Sequence, residues 1–81
     1  MARVTLAGPL QSAAGGQSEF EIEAADIREL FMRLSADYPE LKPILDKGVT
    51  VAIDGELYRS ALFQPIPPGA EVHILPRMAG G

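Results

Sequence analysis

The amino-acid sequence predicts one α+β domain, in which a mixed sheet carries one main helix on one face. Short segments of alternating apolar and polar residues stand before and after a single amphipathic helical segment. The chain has 81 residues, which is room for one small core. Because it has no cysteine, that core must be held by apolar packing, and 47% of the residues are hydrophobic.

Two strands are predicted near the N-terminus. Residues 3–7 alternate and predict the first strand, and the Gly-Pro and Gly-Gly pairs of residues 8–17 predict a turn region. Residues 19–23 alternate again and predict the second strand. Its period of two places three carboxylates along one side, a solvated strand face or a patch for a basic partner: Glu19, Glu21 and Glu23.

The main helix has clear start and stop signals. Asp26 can cap its N-terminus, and Glu29 stands three residues later, as in a capping box. Pro39 disfavours helical geometry at Tyr38 and predicts the helix end there. A short helical turn is expected over residues 40–47. The buried stripe of the main helix is predicted at helical spacing: Ile27, Leu30, Phe31 and Leu34.

Three further strands are predicted in the C-terminal part. Residues 49–53 are β-branched and alternating, and the Asp-Gly pair that follows predicts a tight hairpin into residues 56–58. Residues 71–75 alternate as the last strand, which Pro76 ends. The order β-β-α-β-β-β in about 80 residues predicts the β-grasp, or ubiquitin-like, fold.

Composition excludes several classes of function. Without cysteine there is no disulfide framework, thiol nucleophile or Cys-ligated metal centre, and His73 alone cannot form a histidine cluster. The formal net charge of −4 argues against nucleic-acid binding. Residues 1–10 lack the pattern of a signal peptide, and no segment is long and apolar enough for a membrane. We expect a cytoplasmic protein without nucleic-acid or membrane partners.

The sequence ends in Gly80 and Gly81, which carry no Cβ and so make a thin end that can enter a narrow channel. Residues 77–81 reach on the order of 16–18 Å when extended. The terminal carboxylate is ionised at neutral pH and is a poor electrophile. A partner must therefore activate it with ATP, as an acyl-adenylate, before sulfur or a lysine amine can attack.

The same residues resemble a known family. Residues 69–81 resemble the Gly-x-Glu-Val-x-x-x-Pro-Pro-Val-Ala-Gly-Gly ending of the MoaD/ThiS family of ubiquitin-like sulfur carriers, closest to the MoaD branch, the molybdopterin synthase small subunit. Residues 27–30 and 38–41 resemble the helix and the Tyr-Pro-x-Leu element of that family. The chain departs from the pattern at Arg77 and Met78, which replace proline and valine, and its 65–68 loop is longer.

The resemblance implies a protein co-substrate that is not itself an enzyme. An E1-like adenylyltransferase of the MoeB/ThiF type would adenylate Gly81, and a sulfurtransferase would supply the sulfur of a thiocarboxylate. The recipient would be a molybdopterin synthase large subunit of the MoaE type, for molybdenum cofactor synthesis, or another acceptor in thiamin, cysteine or tRNA thiolation. No cofactor is expected on the chain itself, since the partner uses the ATP.

The resemblance also implies site residues and a division of the chain. Residues 1–76 would form the β-grasp domain and residues 77–81 a flexible tail. Leu75, and with less support Leu57, would dock the partner. The residues that thread into the partner ahead of Gly81 would be Arg77, Met78, Ala79 and Gly80.

Two alternatives remain open from the sequence. The chain could be a protein modifier joined through Gly81 to lysines, because the same activation serves both outcomes. It could also be a non-covalent interaction domain in which the glycine pair has no role, since chain termini are often poorly ordered. An independent enzyme has the least support, because no nucleophile, metal set or acid–base pair is evident.

Overall fold

The computed structural model describes residues 1–59 and 61–76. Five strands and three helices follow one another within those residues. In chain order they are β1 (Ala2–Leu6), α1 (Pro9–Ala13), β2 (Glu19–Ile22), α2 (Ile27–Asp37), α3 (Leu41–Lys47), β3 (Val49–Ile53), β4 (Glu56–Arg59) and β5 (Glu71–Pro76).

The strands form one mixed sheet in the order β2-β1-β5-β3-β4. β1 and β5 run parallel, with Val4 opposite Val72, and the other neighbours are antiparallel. The last strand of the chain therefore lies in the middle of the sheet, between the first and the third. The predicted α+β class and β-grasp fold are confirmed, with two short helices, α1 and α3, besides the predicted main helix.

The start of α2 follows the predicted capping pattern with one difference. The Asp26 carboxylate accepts a hydrogen bond from the Glu29 N–H at 2.8 Å, which satisfies one of the free donors of the first turn. The Glu29 carboxylate accepts from the N–H of Ala25, at 3.0 Å, one residue before the position that a capping box uses. The helix ends at Asp37, and Tyr38 is no longer helical, as Pro39 predicts.

The prediction of an unstructured turn for residues 8–17 is wrong in part, because α1 forms within it. Gly8 adopts a φ of 61° before the helix, and Pro9, whose fixed φ suits a first helical position, follows. Leu10 and Ala14 are buried and Ala13 packs against the core, so one side of this single turn is held by apolar contacts. Their spacing is helical, but three small or apolar residues between Gly-Pro and Gly-Gly are too short a pattern to predict a helix.

The two-residue turn between β3 and β4 has the geometry that its sequence favours. Asp54 and Gly55 have φ values of 48° and 90°. Two positive φ angles at the central residues give a turn whose twist matches the right-handed twist of the flanking strands. Ile53 lies opposite Glu56, so the turn closes directly onto the ladder.

The core lies on one face of the sheet. Buried side chains from all three helices join the inward residues of the strands in one cluster. The largest fully buried side chains are Leu6, Leu10, Ile27, Leu30, Leu34, Leu41, Ile74, Val4 and Val72. We call the opposite side the outer face, and by the registers it carries Arg3, Thr5, Glu19, Glu21, Thr50, Ala52, Leu57, Arg59, Glu71, His73 and Leu75.

Among the helices in the described part of the chain, none combines the length and the apolar character that crossing a membrane requires.

Candidate docking surface

The C-terminal tail follows a strand that is held on both sides. Pro76 lies opposite Val49 at the start of β3, and the N–H of Ala7 donates to the Ile74 carbonyl at 3.2 Å. A Cβ built on Gly8 would lie 3.7 Å from Cγ of Pro76, an ordinary contact distance. The start of β3 and the segment between β1 and α1 therefore hold Pro76, the last residue that the structure describes, in place.

The two predicted docking residues, Leu57 and Leu75, lie on the outer face. Leu75 is 36% exposed and Leu57 is 64% exposed, while their neighbour Ile74 is fully buried on the inner side. Leu57 lies opposite Ala52, and Leu75 lies opposite Thr50 on the same strand, β3. The two leucines are thus about 10 Å apart across the sheet and about 7 Å apart along it, from standard strand dimensions.

The space between the two leucines is filled by residues that the sequence analysis did not select. Ala52 lies between Leu57 and His73, and Thr50 lies between Arg59 and Leu75. Ala52 is only 9% exposed despite its position on the outer face, because its larger neighbours cover it. These residues form an apolar surface beside the C-terminal end of β5, with Arg59 and His73 on it. His73 is exposed, as predicted.

The outer face separates charge across the sheet. Glu19 and Glu21 are exposed on the β2 side, with Arg3 opposite Glu21 on one strand and opposite Glu71 on the other. Arg59 is exposed on the far side of the sheet, on β4. A partner that covers the outer face therefore meets carboxylates at the β2 edge and a cation at the β4 edge.

One titratable group near this surface is perturbed. The Tyr58 hydroxyl donates a hydrogen bond to the Glu56 carboxylate at 2.8 Å. That bond raises the pKa of the Tyr58 phenol above its usual value, and desolvation and the negative charge of Glu56 add to it. Tyr58 points to the side of the sheet opposite Leu57, so this pair lies behind the outer face.

Five of the predicted site residues cannot be placed. Arg77, Met78, Ala79, Gly80 and Gly81 lie outside the described residues. Within residues 1–59 and 61–76, no group of three or more histidine and acidic side chains is placed to hold a metal ion.

Part of the surface between Leu57 and Leu75 could have been predicted from the pairing of strands in the hairpin. The two-residue hairpin places Ala52 opposite Leu57 from the sequence alone. The pairing of Thr50 with Leu75 joins strands separated by a long connection, and no local pattern specifies it.

This fold, a mixed five-stranded sheet with its last strand in the middle and helices on one face, is that of a ubiquitin-like β-grasp protein. The model of the ThiS family matches residues 4–81. The chain belongs to this family, the ThiS/MoaD type of ubiquitin-like sulfur carriers. A sequence search gives no significant match among curated proteins.

Solved structures with the same fold come from several functional settings. A chain of the Amycolatopsis orientalis BexX/CysO complex is 21% identical, with a TM-score of 0.81 and 100% of both chains covered. Small archaeal modifier protein 1 from Methanosarcina acetivorans is 23% identical, with a TM-score of 0.80, 99% of this chain and 95% of that one covered. The complex of subunits 1 and 2 of molybdopterin-converting factor from Helicobacter pylori contains a chain 26% identical, with a TM-score of 0.68 and coverage of 99% and 97%.

Proposed function

We propose that this chain carries sulfur as a thiocarboxylate on Gly81. An E1-like enzyme of the MoeB/ThiF type uses ATP to convert the terminal carboxylate into an acyl-adenylate, with release of pyrophosphate. The terminal sulfur of a persulfide on a sulfurtransferase then displaces AMP and forms an acyl disulfide. A thiol reductant cleaves the S–S bond of that acyl disulfide and leaves the thiocarboxylate on Gly81. The chain acts as a co-substrate in these steps, and it binds no cofactor of its own.

One observation carries the proposal: the sequence that ends in Gly80 and Gly81 continues directly from β5, the central strand of a ThiS-family domain. Ile74 and Val72 anchor that strand in the core, while Leu75 faces outward one residue before Pro76. A partner that binds the outer face through Leu75 and Leu57 therefore holds the tail at a fixed starting point. Glycine at the end lets the tail enter a narrow active site, with Arg77, Met78 and Ala79 leading to it.

For the recipient we propose the large subunit of molybdopterin synthase, of the MoaE type. The MoaD-like ending of the sequence supports this choice, as does the similarity to a chain of the Helicobacter pylori molybdopterin-converting factor complex. Carriers for cysteine, thiamin or tRNA thiolation remain the alternatives, and the similarity to a chain of the BexX/CysO complex supports that group. The departures at Arg77 and Met78 bear on this choice, because the recipient must accept a cation next to Pro76.

The experiment is reconstitution followed by intact mass spectrometry. The untagged chain is incubated with its E1-like enzyme, ATP, a sulfurtransferase with a sulfur donor, and a thiol reductant. We expect a species in which one oxygen is replaced by sulfur, and we expect none for a chain lacking Gly81 or one extended beyond it. A chain that stays unmodified while the enzyme consumes ATP on it would contradict the thiocarboxylate. Adding each candidate acceptor enzyme in turn then identifies the recipient by loss of the sulfur.

A second candidate is a protein modifier that forms an isopeptide bond between Gly81 and lysine amines. The likeness to small archaeal modifier protein 1 favours keeping this candidate. Both candidates need the same acyl-adenylate, and they differ in the nucleophile that displaces AMP. An immunoblot of lysate from the native host separates them, because conjugates appear as higher-mass bands that resist reducing agents, and a thiocarboxylate gives no such bands.

A further inference from the structure

β4 is an edge strand whose outward hydrogen-bonding groups have no partner among the described residues. In a hairpin with a two-residue turn, the pair that closes the turn is hydrogen-bonded, and bonded and non-bonded pairs then alternate. Ile53 with Glu56 and Val51 with Tyr58 are therefore the bonded pairs. The N–H and C=O groups of Leu57 and Arg59 point away from β3, toward the open edge.

An apolar pocket of about 250 Å³ opens beside this edge on the helix side of the sheet. It lies between α2, α3, β3 and the segment after β4. Tyr58 is the β4 residue that lines it, so a side chain placed beside Tyr58 on an added strand would lie over the pocket. Its apolar lining comes mainly from Ile27, Phe31, Leu45, Val49, Val51 and Leu62.

An exposed cation lies next to Tyr58 on β4, on the outer-face side of the edge. This residue, Arg59, forms no ion pair with a carboxylate of the described residues. The two acids nearest the pocket are already engaged: Asp46 pairs with Lys42 at 3.2 Å, and Glu56 accepts from Tyr58. Among the described residues, Arg59 therefore gives the outer-face side of the β4 edge an unpaired positive charge, on a chain with a net charge of −4.

We propose that the β4 edge and its pocket bind an extended segment of a partner protein in which acidic and apolar residues alternate. The segment adds a strand to β4 through the backbone groups of Leu57 and Arg59. Its apolar side chain enters the pocket beside Tyr58, and its carboxylates lie on the other side, where Arg59 is. The chain's own residues 77–81 do not fit this description, since they contain an arginine and no acidic side chain. The site uses the open edge of β4 and the helix side of the sheet, meets the outer face at Arg59, and does not depend on sulfur transfer.

The test uses the full chain, labelled with ¹⁵N, and the synthetic peptide acetyl-Glu-Val-Glu-Leu-Glu-Val-Glu-amide. We expect saturable shifts of the amide signals of Leu57, Arg59 and Ala61, and no such shifts with a peptide in which lysine replaces every glutamate. Arg59→Glu should weaken binding roughly threefold or more. Arg3→Glu is the matched control, because it makes the same charge change on the far part of the outer face and should bind as the unmodified chain does.

The backbone contact has its own pair of variants. Leu57→Pro removes one outward N–H and no ladder bond, a change that an edge strand tolerates. Leu57→Ala shortens the same side chain and keeps the N–H. We expect Leu57→Pro to bind the peptide about two- to tenfold more weakly than Leu57→Ala, from the net contribution of one hydrogen bond. The amide spectrum of each variant verifies that the fold is intact.

Several results would overturn the proposal. Equal binding of the lysine peptide would remove the charge argument, and equal binding by Leu57→Pro and Leu57→Ala would remove strand addition. Shifts confined to β2 would place the peptide elsewhere. Self-association through β4 that the peptide does not disturb would assign the edge to a second copy of this chain. None of these measurements uses the activating enzyme, so their failure is separate from failure of the proposed function.

Discussion

Asp54 and Glu71 are joined by two hydrogen bonds across the sheet. The N–H of Glu71 donates to the Asp54 carboxylate at 2.9 Å, and the N–H of Asp54 donates to the Glu71 carbonyl at 2.9 Å. The hairpin turn that precedes β4 is thereby attached to the first residue of β5. Asp54, which adopts the turn conformation between β3 and β4, thus also fixes where β5 begins.

Replacing Asp54 by alanine should lower the free energy of unfolding by about 1–2 kcal/mol. The change removes the acceptor of the Glu71 N–H and places a residue without local hydrogen bonding at a φ of 48°. Urea denaturation measures the loss. Asp54→Asn keeps an acceptor oxygen and tolerates the same conformation, so it should lose clearly less. An equal loss for both variants would contradict a role for this hydrogen bond.

The α2 cap gives a second stability prediction. Asp26→Ala should cost about 1 kcal/mol, because the Glu29 N–H loses its acceptor at 2.8 Å. Asp37→Ala removes the same charge from the last turn of α2, where a carboxylate opposes the helix dipole. It should leave stability unchanged or slightly raise it. Thermal unfolding monitored by circular dichroism compares the two, and equal destabilisation would show that the cap is not the cause.

The docking residues are predicted to affect partner binding and not folding. Leu57→Ala and Leu75→Ala change exposed side chains on the outer face. The free energy of unfolding should change by no more than about 0.5 kcal/mol for Leu57→Ala, and it should fall modestly for Leu75→Ala, because Leu75 is less exposed. Truncating a side chain at the centre of an interface commonly costs more than about 1 kcal/mol of binding. The rate of pyrophosphate release by the E1-like enzyme at limiting carrier concentration measures the effect.

Met32→Ala is the matched control for this experiment. Met32 is 57% exposed on α2, on the helix side of the sheet. The substitution removes a similar apolar area away from the outer face, so the rate of activation by the E1-like enzyme should be unchanged. If Met32→Ala slows activation as much as the leucine variants do, the docking surface is not where we place it.

The Tyr58–Glu56 pair predicts a pH effect with a definite sign. The hydrogen bond to Glu56 raises the pKa of Tyr58 in the folded chain above the ordinary value of 10.0. The folded state therefore holds this proton more tightly than the unfolded state. The resulting stability is fully present below the unfolded pKa and is lost as the pH rises through the folded pKa.

Glu56→Gln should return the Tyr58 pKa toward its ordinary value and shrink the loss of stability at alkaline pH. Tyrosinate absorbance, followed on titration of the folded chain and the variant, measures the shift. Glu40→Gln removes one carboxylate from an exposed position before α3 and should leave the titration unchanged. A variant curve for Glu56→Gln that overlays the original would show that the pair does not hold the proton.

The elements with a strong local pattern are those that the sequence could specify. The apolar stripe and cap of α2, the β-branched residues of β3 and the Asp-Gly turn each fix a structure through neighbours in the chain. α1 was missed because its apolar residues, Leu10, Ala13 and Ala14, cover a single turn, which is too short for a periodic signal. Leu57 and Leu75 were placed on one surface only by the β3–β5 register, which depends on packing of the whole sheet. The β4-edge pocket likewise arises from five segments, α2, α3, β3, β4 and the residues after β4, that meet in space.

The central position of β5 has a mechanical consequence. β5 is bonded to β1 on one side, in parallel, and to β3 on the other. Force applied to the end of the chain after Pro76 therefore acts along both ladders, and their hydrogen bonds must shear together instead of opening one at a time. A partner that pulls on residues 77–81 as they leave its active site would therefore apply shear to the hydrogen bonds of both ladders at once. Release of the carrier should thus end in detachment of the intact fold, ready for another round of loading.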